Sequence, residues 1–139
     1  MTQLIGMSVY KMIRQEFNVR SYWKVVVFYS IDYHFFNSIN RELVEAGFSG
    51  EPLAEMWYTM IEGDGKAVTC SDLQKHLSYI LFKPHESWLD YLNSLVHEAE
   101  HVKEAMLEAY DVENKGEPPA YTIGYLVMRM WKGFRKLWK

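Results

Sequence analysis

Residues 22–29 read Tyr-Trp-Lys-Val-Val-Val-Phe-Tyr, β-branched and aromatic with one charge near the start. That run predicts a central strand covered on both faces. Before it, residues 1–17 carry Leu4, Ile5, Val9, Met12, Ile13 and Phe17 at spacings that fit an irregular helix. After it, Asp32 is placed to cap a helix over residues 33–46, where Phe35, Phe36, Ile39, Leu43 and Ala46 form an apolar stripe that Gly47 stops. A short helix is expected over 52–61 with Pro52 in its first turn, then a loop at 62–65 rich in Gly and acid. Residues 67–70 and 76–82 read as a hairpin whose second arm alternates Leu77, Tyr79 and Leu81, with Pro84 ending it.

A long helix follows from Glu86 or Ser87, Asp90 completing a capping box from Ser87. Its predicted buried stripe is Trp88, Leu92, Leu95, Val96, Ala99, Val102 and Met106. Lys115-Gly116 breaks it, and Pro118-Pro119 opens a last helix facing Ala120, Ile123, Gly124, Val127, Met130, Trp131 and Phe134 inward. Strand, helices, hairpin, helix, helix predicts a small α+β domain over residues 1–139, with helices packed on a short twisted sheet of about three strands.

Composition narrows the function classes. The 139 residues are 49% hydrophobic and 16% aromatic, so the chain folds around a real core. A net charge of −3 gives no overall pull toward nucleic acid or anionic lipid. The single Cys70 excludes an internal disulfide and a multi-cysteine zinc knuckle, and reads as an inert strand thiol. The first twenty residues lack a signal-peptide pattern and no apolar run is long enough to span a membrane. The expectation is an intracellular, cytoplasmic protein.

The chemistry lies at His97-Glu98-Ala99-Glu100-His101. H-E-x-x-H on a helix puts two imidazoles on one face, four positions apart, as a zinc ion requires. Glu98 follows the first histidine and is the candidate general base, taking a proton from a zinc-bound water. With five histidines in the chain, chance supplies roughly one or two such pentapeptides per hundred chains, so the pattern alone is suggestive. The competing reading is a Glu-rich polar helix face with two incidental histidines. His97 and His101 fall along the edge of the buried stripe, where a ligand is rooted in the core yet opens into a cleft.

A strand, a hairpin and a long helix bearing this pentapeptide resemble the minimal zincin metallopeptidase fold. The sequence is similar, more closely, to small zincin-like proteins of phages and prophages, in which a second helix opens with Glu, then Ala-Tyr, an aliphatic residue and Gly-Tyr. Here Glu117-Pro118-Pro119-Ala120-Tyr121-Thr122-Ile123-Gly124-Tyr125 matches that pattern. The similarity covers roughly residues 67–131. It implies one zinc per chain held by His97, His101 and Glu117, with Glu98 as general base, in the cytoplasm of a bacterial host cell.

Chain length permits Glu117 without demanding it. A helix running to Val112 would end roughly 16 Å beyond His101, and five extended residues return at most about 17 Å. Glu117 reaches the pair only if the helix stops near Tyr110 or the last helix folds back tightly. Glu104, Glu108, His34, His76 and His85 are the alternatives. Tyr121, one turn beyond Glu117, is a candidate donor to a tetrahedral oxyanion, against a packing tyrosine whose hydroxyl reaches solvent. The arm at 76–82 is expected at the sheet edge above the cleft, where a substrate peptide can add as a strand, with Lys75 and Lys83 guarding it.

Arg129, Lys132, Arg135, Lys136 and Lys139 suit a helix C-terminal dipole better than nucleic-acid contact. The interleaved Trp131, Phe134 and Trp138 leave a membrane-surface or partner-helix role open. Three functions compete: a zinc-dependent peptidase acting on a peptide or protein, a non-catalytic zincin-fold module that binds a host protein around a structural metal, and a metal-free interaction protein.

Overall fold

The computed structural model describes residues 12–138. Its sheet has four strands in the order β1-β2-β4-β3, where β1 is Ile13–Val19, β2 Trp23–Tyr29, β3 Ala67–Asp72 and β4 Leu77–Phe82. β1 and β2 pair antiparallel, as do β3 and β4, while β2 and β4 run parallel with Lys24 beside Leu77 and Phe28 beside Leu81. Four helices complete the fold: α1 Phe36–Glu45, α2 Gly50–Ile61, α3 Trp88–Ala109 and α4 Glu117–Phe134. The α+β class stands, with four strands in place of three.

The extra strand is β1, inside the segment expected to be helical. Residues 1–11 of that segment lie outside the described residues. Ile13, Gln15, Phe17 and Val19 turn toward the sheet interior while Arg14, Glu16 and Asn18 are exposed, a period of two and not of 3.6. The turn to β2 passes through Arg20 at φ 60°, a left-handed position with no glycine to announce it.

The alternating faces of β2 and β4 feed two separate cores. Val25, Val27, Tyr29, Ile80 and Phe82 pack under α3 and α4, whereas Val26, Phe28, Tyr79 and Leu81 pack against α1 and α2. Helices therefore cover both faces of the sheet, and every residue of β4 is buried. This corrects the expected placement of residues 76–82: β4 is central and β3 is the edge. Lys75 and Lys83 flank β4 but donate to the carbonyls of Ala46 and Met60. Among the described residues, no helix is long and apolar enough to cross a membrane.

Helix α3 starts where Ser87 Oγ accepts the Asp90 amide at 3.1 Å, while the Asp90 carboxylate takes Lys66 Nζ at 2.7 Å. The Lys66 bond holds the Asp90 carboxyl below its ordinary range. The helix stops at Ala109: Asp111 takes φ 56°, and the Val112 amide closes on Leu107 O at 2.9 Å. Trp88 and Val96, expected inside, are 46% and 42% exposed, because the buried side centres on Tyr91, Leu95, Ala99 and Val102. In α4 the inward face is Pro119, Leu126, Met130, Gly133 and Phe134, and the expected inward residues Ala120, Gly124 and Trp131 point out.

His85 locks the β4–α3 connection. Its Nδ1 lies 2.6 Å from Lys83 O, which only accepts, so Nδ1 carries the proton and Nε2 accepts from Ser94 Oγ at 2.8 Å. The ring is buried and stacked on Tyr91 at 4.2 Å. Burial lowers its pKa below 6.5, so the neutral form is favoured in the fold. Below that value the unfolded chain binds the extra proton and the fold resists it. The stability His85 contributes should be intact above pH 6.5 and fall as the pH drops below it, until the folded-state pKa is passed. Thermal melts at pH 7.5 and 5.5, wild type beside His85→Gln, measure this: the wild-type decrease should be the larger. Equal decreases would remove His85 as the cause.

Candidate metal and catalytic site

Strand β3 and helix α3 run side by side and enclose the site. On β3, Val68 and Cys70 turn to the α1–α2 layer, so Thr69 and Ser71 turn to α3. Burial in that layer pushes the Cys70 thiol up to about 11, which keeps it protonated and unreactive near neutral pH. On α3, Glu98 sits beside the buried residues Ala99 and Val102 and is itself only 5% exposed. His97 and His101 stand one residue to its solvent side, with side chains 67% and 49% exposed.

The three side chains converge. His97 Nε2 and His101 Nε2 face each other at 3.2 Å, with the rings edge to face and 4.8 Å between centroids. Two nitrogens each bound at 2.0–2.1 Å to one tetrahedral zinc lie roughly 3.3 Å apart, so this spacing fits a shared ion as well as it fits a His–His hydrogen bond. The far nitrogen of His101, Nδ1, has Glu104 Oε2 at 3.8 Å. A carboxylate on that side favours the Nδ1–H form and frees Nε2 for a metal.

Glu98 is fixed by one donor. Thr69 Oγ1 gives a 2.8 Å hydrogen bond to Oε1, leaving Oε2 turned to His97 Nε2 at 3.9 Å. A carboxylate held at one oxygen keeps the other as a directed proton acceptor. The cleft encloses about 380 Å3, with Thr69, Ser71, His97, Glu98, His101, Glu104 and Glu108 on its walls. Three carboxylates around two imidazoles suit a cation. The outer edge of β3, the last strand of the sheet, borders it.

Glu117 and Tyr121 are elsewhere. Both are exposed on the first turns of α4 and border a second, larger groove of about 1110 Å3 shared with Tyr110, Gly124 and Met128. Neither lines the histidine cleft. Helix α3 does end at Ala109, as Glu117 requires, yet α4 enters along the other side of α3. Of the alternatives, Glu104 and Glu108 line the cleft. His34 is taken up by Asp32, His76 stacks on Trp23, and His85 is buried at Ser94. Among the described residues, no group of three or more His, Cys, Asp or Glu is gathered as a metal would need.

Thr69 is the site residue that the sequence reading missed. Its signal was the alternation along 67–72, which places Thr69 and Ser71 on one face, but which face met α3 depended on β3 being the edge. Set against protein-family models, curated proteins and solved structures, the chain matches none of them.

Proposed function

We propose that the protein is a zinc-dependent hydrolase that cleaves a peptide bond, using His97 and His101 as metal ligands and Glu98 as general base. The observation that carries this reading is the facing pair of Nε2 atoms at 3.2 Å beside a buried carboxylate pinned by Thr69. Chance histidines on a polar face have no reason to meet nitrogen to nitrogen, and a solvated glutamate has no reason to be buried. A zinc ion held by the pair supplies Lewis acidity and lowers the pKa of a bound water. Glu98 accepts that water's proton at Oε2 and delivers it to the leaving amine. Thr69 holds Glu98 in position, and the free edge of β3 can take an extended peptide as a further strand. A peptide or protein is therefore the proposed substrate.

The reading of a non-catalytic module with a structural metal is weaker. Structural zinc is closed by four protein ligands, whereas this pair is half exposed and stands in an open cleft. Glu117, implied by the resemblance, is kept as third ligand beside the two carboxylates of the cleft, Glu104 and Glu108. Elemental analysis of protein purified without chelator or affinity metal tests the proposal. About one zinc per chain is expected, lost in His97→Ala and His101→Ala. Single alanine variants of Glu104, Glu108 and Glu117 then identify the third ligand. A chain that takes up no zinc on titration would overturn the proposal.

A further inference from the structure

The outward side of α4 is an apolar stripe with opposite charges at its ends. Ala120, Tyr121, Gly124, Met128 and Trp131 follow one another at helical spacing, and all are exposed, Tyr121 at 72%. The large groove opens beside this stripe, and its far rim is also apolar and exposed: Tyr22, Tyr110 and Val112. Contiguous exposed apolar surface of this kind marks an interaction site. At the N-terminal end stands Glu117; at the C-terminal end stand Lys132 and Arg135. Among the described residues none of these three makes an ion pair. Glu117 is also the last acid in the sequence, so the basic end is unneutralised by its own helix.

We propose that this face is the interface of a two-fold homodimer, in which α4 of one copy packs antiparallel on α4 of the other about Gly124. Seven residues separate Gly124 from Glu117 on one side and from Trp131 on the other, roughly 10.5 Å each way. Antiparallel pairing about that point sets each Glu117 beside the other copy's Lys132. A parallel pair would set Glu117 on Glu117 and Lys132 on Lys132, which is repulsive. The stripe is therefore self-complementary in one orientation only, as an isologous contact must be. Ala120 and Gly124, one turn apart, carry the least side chain and let the two helix axes approach. A bilayer surface fits less well, because the groove is concave and an acid stands at one end of the stripe.

Sedimentation velocity in the presence of chelator tests this without reference to the metal. Wild type should sediment as a species of twice the 16.5 kDa chain mass. A Cβ at Gly124 meets nothing within 4 Å, so Gly124→Arg is tolerated by the fold. It should keep the circular dichroism of the wild type and weaken dimerisation by at least about 100-fold. Lys132→Glu alone should weaken it by about tenfold, and adding Glu117→Lys should restore it. A wild type that stays monomeric at about 100 µM would overturn the proposal, as would a dimer that Gly124→Arg leaves intact. A monomer that binds vesicles of anionic lipid would also overturn it and assign the stripe to a membrane surface.

Discussion

Glu98→Gln should retain zinc at His97 and His101 while lowering peptide hydrolysis by about 10²–10⁴-fold, the range that positioned proton transfer contributes. Glutamine matches the size of Glu98 and can still accept from Thr69 Oγ1, now 2.8 Å from Oε1. The packing at this 5%-exposed position is thus preserved, and only the ability to take a proton is removed. The assay is cleavage of a quenched fluorescent peptide library, read beside zinc content. Full activity in Glu98→Gln would end the role of Glu98. Zinc loss with an intact fold would instead make it a ligand or a partner of one. Thr69→Val serves as the companion variant: it keeps the shape and frees Oε1, so its loss should be smaller than that of Glu98→Gln.

The second large effect is on stability, at Tyr91. This residue of α3 is fully buried among Phe82, His85 and Phe134, with ring centroids 5.4, 4.2 and 4.9 Å away. Its hydroxyl accepts the Ser30 amide at 2.8 Å, just where β2 ends and Ser30 takes φ 60°. Burial pushes the phenol well above its ordinary pKa, so it stays neutral in that role. Tyr91→Ala removes the ring and leaves a cavity, at about 3–5 kcal/mol. Tyr91→Phe keeps the ring but leaves the Ser30 amide buried without its acceptor, at about 1–3 kcal/mol. Domains are stable by only about 5–15 kcal/mol, so the alanine variant should be close to unfolding at room temperature. Urea denaturation should show both midpoints lowered with an unchanged slope. A Tyr91→Phe midpoint equal to the wild type would mean that water or another group satisfies Ser30.

What could be read from the sequence followed from how far each residue's partners lie along the chain. β2, α3 and α4 announced themselves because their apolar positions, caps and breakers are local, and the histidine pair needed only the helical period. β1 was hidden because Ile13 and Phe17 also fit a helix when joined to Val9 and Met12, and no turn residue preceded Trp23. The place of β4 was hidden because its neighbours are distant: Ser78 is buried by giving and taking hydrogen bonds with Ser71 and the Trp23 indole. A serine in the run from Leu77 to Phe82 read as the polar phase of an edge strand. Glu117 was a matter of reach, and reach depends on the side of α3 along which α4 returns. Similarity to a motif carries no information about that side.

The parallel pairing of β2 with β4 also bears on time. The sheet is two local hairpins, β1–β2 and β3–β4, joined along one seam where Lys24 meets Leu77 across about fifty intervening residues. Each hairpin can form within microseconds, but the seam must wait for a large loop to close. Until it closes, β2 and β4 both show an unpaired, strongly apolar edge. The slow step in refolding should therefore be the docking of the two halves, and crowding at that stage should favour seams made between chains over the seam made within one.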